Sequence, residues 1–124
     1  VHGAGLDDFG ISGPSTVTEL MEDGSLRRYE VRPEEMGLRT WDLADVAGGD
    51  PAHNARQLRA VLAGTGTGRG ERAKRDLVLF NAGAALYLAG RSDDLRGGVE
   101  LAQESLASGA ALNKLEEYLA FTNA

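Results

Sequence analysis

Arg72-Ala73-Lys74-Arg75-Asp76-Leu77-Val78-Leu79-Phe80-Asn81-Ala82-Gly83-Ala84-Ala85-Leu86-Tyr87-Leu88-Ala89 is the stretch on which the fold turns. It is too long for a strand, and from Leu77 onward it is apolar nearly all round, the pattern of a helix enclosed on every side. Gly90 ends it. Asn81 lies inside this helix and must find hydrogen-bond partners or cost stability, so it reads as a structural bridge. Two amphipathic helices follow, at about 93–107 and 110–122, separated by Gly109. Their apolar stripes are Leu95, Val99, Ala102 and Leu106, then Leu112, Leu115 and Leu119. Two such stripes cannot enclose a helix alone, so the chain is expected to be a piece of a larger protein. It does not begin with methionine, which agrees with that expectation.

Upstream, Asp50 is a natural N-cap with Pro51 at the first helical position. The helix it opens places Ala55, Leu58 and Leu62 on one face and stops at Gly64. His53 sits in its first turn as an exposed side chain. Arg32-Pro33-Glu34-Glu35-Met36-Gly37 reads as a short helical turn, and the stretch from Leu38 to Gly49 is open, with Trp41, Leu43 and Val46 as anchors. Two strand-like runs, Ser15 to Met21 and Ser25 to Val31, flank Asp23-Gly24. A two-residue turn there would set Thr18 opposite Tyr29, Thr16 opposite Val31 and Glu19 opposite Arg28. The expected segment is therefore a loop at 1–14, a β-hairpin at 15–31 and a helical remainder at 50–122.

Bulk composition bounds the function. The chain has 124 residues, a net charge of −6 and no cysteine. The charge disfavours a nucleic-acid partner, and the missing thiols exclude disulfides, thiolate metal sites and cysteine nucleophiles. No apolar run reaches the ~18 residues of a membrane span, and no secretory signal is visible. A cytoplasmic setting is expected.

Chemistry-bearing candidates are few. Val1-His2-Gly3-Ala4-Gly5-Leu6-Asp7-Asp8 reads as a flexible, glycine-rich loop carrying adjacent carboxylates. Such a loop lets neighbouring carboxylates converge on a hard cation such as Mg2+, held by one or two carboxylates with water and a phosphate-bearing substrate. Most acidic pairs in loops simply face water. His2 could orient the loop or lie unused beside it. The glycine loop at 64–70 lacks the Gly-Lys-Ser/Thr ending of a P-loop and follows a helix rather than a strand, so it is read as a connection. Arg69, Arg72, Lys74 and Arg75 are read as a solvated basic cluster, and Glu100, Glu104, Glu116 and Glu117 as solvated helix faces.

Several blocks together resemble one family. They are Val1-His2-Gly3 through Gly5-Leu6-Asp7-Asp8, Gly13-Pro14-Ser15-Thr16-Val17, and Glu19-Leu20. Val31 through Leu38, Asn54-Ala55 and Val61 through Gly64 continue them, followed by Arg75 through Ala82, Gly98 through Ala102 and Ser108 through Leu112. In that order and spacing they resemble the C-terminal third of anthranilate phosphoribosyltransferases, from the metal loop onward. The resemblance implies part of a large α/β domain in an enzyme that also has a small helical domain and works as a homodimer. It implies transfer of the phosphoribosyl group of phosphoribosyl pyrophosphate to anthranilate, a step of tryptophan synthesis, with Mg2+ as cofactor. The family's metal-binding Asp-Glu pair maps onto Asp7 and Asp8. Asp8 is a shorter side chain than the usual glutamate, which allows a bridging water. The aromatic amine of anthranilate needs little deprotonation, so no strong base is required. The family's Gly-Thr-Gly-Gly-Asp phosphate loop, its Lys-His-Gly-Asn segment and its N-terminal helical domain are absent, and the segment alone is expected to be inactive. Two rivals remain: a pyrimidine-nucleoside phosphorylase-like relative of the same architecture, and a non-catalytic helical binding domain whose acidic loop is merely solvated.

Overall fold

The chain reverses at Glu22-Asp23-Gly24, between strand β1 (Ser15–Leu20) and strand β2 (Leu26–Val31), in a computed structural model that describes residues 1–123. The loop has three residues rather than two. Met21 N–H donates to Ser25 C=O at 2.9 Å, Gly24 adopts φ +82°, and Ser25 N–H is held by the Asp23 carboxylate at 2.9 Å. A left-handed glycine closing a three-residue loop is a standard hairpin solution, and it shifts the pairing by one residue. Val17 therefore faces Tyr29, Thr18 faces Arg28 and Glu19 faces Arg27, correcting the expected pairs. Because side chains alternate, this register puts Ser15, Val17 and Glu19 on the same face as Tyr29 and Val31. That face meets the helices: Ser15, Val17 and Val31 are buried.

After the hairpin come two 3-10 turns, Pro33–Met36 and Leu43–Val46, the first closed by Gly37 in the left-handed region as its sequence indicates. Four helices follow: α1 (Pro51–Ala63), α2 (Arg69–Leu88), α3 (Leu95–Ala107) and α4 (Ala110–Thr122). The class is α/β, a hairpin followed by helices, as expected. Asp50 caps α1 by accepting from His53 N–H at 2.7 Å, and Gly64 ends it. The buried face of α1 differs from the expected one. Val61 is buried, Gln57 and Leu62 are half-buried, and Ala55 and Leu58 face solvent. His53 is half-buried rather than exposed, with its ring beside Gly49.

Helix α2 is the spine. Phe80, Leu79 and Ala73 are buried against Phe9 and Ile11 of the N-terminal loop, Val17 and Val31 of the hairpin, and Val99 and Ala102 of α3. Each such large side chain contributes roughly 1.5–3 kcal/mol by leaving water. Helices α2 and α3 cross backbone to backbone: a Cβ on Gly83 would lie 2.6 Å from Val99 N, so only glycine fits there. The opposite side of α2 is open. Leu62, Val78, Ala82, Leu86, Leu106 and Ala111 line an apolar groove of about 380 Å³ there. Enclosure on every side is thus corrected to enclosure on one side, because α1 covers only a strip of it and α4 packs on α1 and α3 instead. Among the described residues no helix is long and apolar enough to cross a membrane.

Candidate functional site

Residues 1–14 form the loop expected there, but it is pinned rather than flexible. His2 pairs with Thr16 through two backbone hydrogen bonds of 2.9 Å and so lies along the free edge of β1. Gly3 N–H donates to Asp8 C=O at 2.8 Å, closing residues 3–8 into a ring. Gly3 and Gly10 pass so closely that a Cβ on Gly3 would overlap the Gly10 backbone and one on Gly10 would lie 2.9 Å from Ala4 N. Gly10 N–H donates to the fully buried Ser15 hydroxyl at 2.9 Å, and Trp41 N–H donates to Ile11 C=O at 2.9 Å. Phe9 and Ile11 are the loop's anchors in the core. The Phe9 ring lies against that of Phe80 with centroids 4.5 Å apart. The loop can be irregular and still fixed because each turn of it ends on a buried group.

Asp7 and Asp8 stand at the bend of this ring, both exposed. Neither takes part in the ion pairs among the described residues. No group of three or more metal-ligating side chains gathers anywhere among those residues. Two free carboxylates without a third protein ligand suit Mg2+, which keeps several waters and shares its coordination with substrate phosphates. They do not suit a metal caged wholly by protein. His2 is exposed and is placed by its backbone along β1.

Asn81 is the bridge its position in α2 requires. Its side-chain Oδ1 accepts from Phe9 N–H at 3.0 Å, while Nδ2 donates to Phe9 C=O at 3.1 Å and to Leu77 C=O at 3.0 Å. The partner lies 72 residues away in sequence, which no local pattern could reveal.

Two further polar groupings lie elsewhere in the fold. Asp76, buried in α2, accepts from the Trp41 indole N–H at 2.8 Å and from Arg39 N–H at 3.3 Å. The guanidinium groups of Arg39, Arg69 and Arg72 lie 4.7, 5.6 and 5.9 Å from the Trp41 ring, a cation–π arrangement. Arg69 also pairs with Asp42 and Asp45, each at 2.8 Å, and its hydrogen bond holds the Asp45 carboxyl below the ordinary carboxylate range. The cluster expected to be simply solvated is thus partly committed to Trp41 and two carboxylates. Likewise Glu116 pairs with Arg59, Glu117 with Lys114 and Glu100 with Arg96. On the hairpin's inner face, Glu19 accepts from Tyr29 OH at 3.0 Å and Tyr87 OH at 2.6 Å, stitching β1 and β2 to α2. Burial, reinforced by Glu19, pushes the Tyr29 phenol up to about 12, and the Glu19 hydrogen bond raises Tyr87 as well. The three residues edge a cleft of about 260 Å³ floored by Phe9, Val17 and Ala84.

With its N-terminal loop closed against a helical core, the chain belongs to the glycosyl transferase family, within its a/b domain, whose family model matches residues 1–112. Within that family the similar proteins are anthranilate phosphoribosyltransferases. The enzyme of that name from Natronomonas pharaonis is 49% identical over 93% of this chain and 33% of its own length. The one from Haloarcula marismortui is 44% identical over 96% of this chain and 34% of its own. Among solved structures, the anthranilate phosphoribosyltransferase of Thermus thermophilus superposes with a TM-score of 0.83 at 39% identity, over 99% of this chain and 35% of that one. The Saccharomyces cerevisiae enzyme, solved with PRPP and Mg, gives a TM-score of 0.77 at 30% identity over 90% of this chain and 31% of its own. The chain spans about a third of the length of the relatives it matches.

Proposed function

We propose that the chain is the metal-loop portion of an anthranilate phosphoribosyltransferase, lying in the C-terminal third of the enzyme. The intact protein transfers the phosphoribosyl group of phosphoribosyl pyrophosphate to the amine of anthranilate. One observation carries the reading: an exposed Asp7-Asp8 pair on a pinned glycine loop, in a chain 49% identical over 93% of its length to an enzyme of that name. The yeast relatives solved with PRPP and Mg, and with 4-fluoroanthranilate, support the substrates and the ion.

In this reading Asp7 and Asp8 hold Mg2+, with Asp8 acting directly or through a water. When bound, the ion offsets the negative charge that builds on a departing diphosphate. The chain's own contribution is to present two carboxylates on a backbone that does not have to reorganise. The same reading carries a homodimeric assembly and a cytoplasmic location.

The test is to assay the intact protein with anthranilate and phosphoribosyl pyrophosphate, with and without Mg2+. Mg2+-dependent formation of phosphoribosylanthranilate is expected. No turnover, or phosphorolysis of a pyrimidine nucleoside instead, overturns the assignment.

A further inference from the structure

We infer that Asn81 is a positioning residue for the Asp7-Asp8 pair, acting through the peptide group that joins Asp8 to Phe9. That peptide is held at both of its polar atoms. Its carbonyl, belonging to Asp8, accepts from Gly3 N–H at 2.8 Å, and its N–H, belonging to Phe9, donates to Asn81 Oδ1 at 3.0 Å. The next carbonyl, that of Phe9, accepts from Asn81 Nδ2 at 3.1 Å. One amide side chain therefore meets both backbone groups of Phe9, as a neighbouring strand would. Its own orientation is fixed in turn, because Nδ2 also donates to Leu77 C=O one turn back along α2.

The consequence falls on Asp8. With its following peptide held at both polar atoms, the Asp8 Cα is anchored against α2, which narrows the region its carboxylate can reach. The helix that supplies the lock is the best-buried element of the chain, carrying Leu79 and Phe80 at 1% and 0% exposure beside Asn81. The anchor is thus a rigid core helix and not another loop. Groups that orient metal ligands from behind usually matter nearly as much as the ligands. Asn81 is half-buried at the edge of that core, where an amide is tolerated because its hydrogen bonds are met. Its position here is explained by what it holds.

This inference rests on the assignment of Mg2+ to Asp7 and Asp8, and the two can be tested apart. In the intact protein, Asn81→Asp keeps the shape but sets a carboxylate oxygen against the Phe9 and Leu77 carbonyls, and that repulsion opens the bridge. Asn81→Ala removes both contacts. Mn2+ binding in the presence of phosphoribosyl pyrophosphate, followed by electron paramagnetic resonance without anthranilate, reads the site independently of turnover. Both variants are expected to bind Mn2+ about tenfold more weakly. The Mg2+ concentration for half-maximal activity should rise in parallel, with KM for anthranilate unchanged. Should Asn81→Ala not fold, the isosteric aspartate carries the test alone. If the Asn81 variants lose thermal stability yet bind Mn2+ like the parent, while Asp7→Ala/Asp8→Ala abolishes binding, the lock is refuted and the metal assignment stands. If the double alanine variant also binds Mn2+ normally, the metal assignment falls and the inference with it.

Discussion

The N-terminal loop and helix α4 make an instructive pair. The loop has almost no regular secondary structure, yet Ile11 is fully buried and Phe9 is 5% exposed. Helix α4 is regular from Ala110 to Thr122, yet it has no buried residue, and its Phe121 and Tyr118 are 82% and 62% exposed. Regular hydrogen bonding and fixed position are therefore separate properties. The loop is held by side chains and backbone from β1, α2 and the segment around Trp41, whereas α4 rests against only α3 and α1, with one ion pair from Arg59 to Glu116. A carboxylate pair that must stay in place belongs on the first kind of support. Local stability follows buried contacts more closely than it follows secondary structure.

That contrast can be broken from the loop's side first. Phe80→Ala removes the fully buried ring that Phe9 packs on and should cost about 4 kcal/mol in denaturant unfolding of the intact protein. A cost near zero would mean the loop is not supported from α2.

A smaller effect is expected where Glu19 joins the hairpin to the same helix. Tyr87→Phe removes one phenol from that carboxylate and should cost about 1 kcal/mol. The companion Tyr29 supplies a pH signature. Its folded value of about 12 lies above the ordinary 10.0, so the neutral phenol is the form the fold favours. The stability this contributes is complete below pH 10 and is lost as pH rises through about 12. Phenolate absorbance in a pH titration should show Tyr29 ionising late, and Glu19→Gln should bring it earlier. Ionisation of Tyr29 at the ordinary value would contradict the arrangement.

The smallest effect is expected on α4. Phe121→Ala should change stability by no more than about 0.5 kcal/mol, measured in the same unfolding experiment. A larger loss would show that something covers this face in the intact protein and would narrow the difference between the two regions.

Much of this was legible in the residues themselves, for local reasons. Asp50-Pro51 and Gly64 bound α1, Gly37 closes a 3-10 turn, and Gly109 divides α3 from α4, because caps and left-handed glycines act within one turn of chain. The hairpin was visible too, but its register slipped by one residue. Asp23-Gly24 serves a two-residue turn and the second half of a three-residue loop equally well, and the exposed β2 side chains give no strong alternation to choose between them. The buried face of α1 went astray because Leu58 is left in solvent while Gln57 turns inward. Helix α2 was expected to be enclosed all round, and its apolar residues alone could not say which side is covered by this segment.

For the site, the acidic pair and the need of Asn81 for partners could both be read from residue type and position. What tied them together could not. The Asn81–Phe9 bonds, the Gly3–Gly10 approach and the Asp76–Trp41 bond all depend on where distant segments meet. The loop consequently looked flexible from its glycines, when two of those glycines are there because the backbone passes too closely for any side chain.

The account stands on the loop being held before any ligand arrives, and amide hydrogen exchange of the metal-free intact protein measures that directly. The Phe9 and Gly10 amides, bonded to Asn81 and Ser15, should exchange more slowly than the amides at the C-terminal end of α4. Exchange of Phe9 and Gly10 at the rate of an unstructured peptide would contradict it.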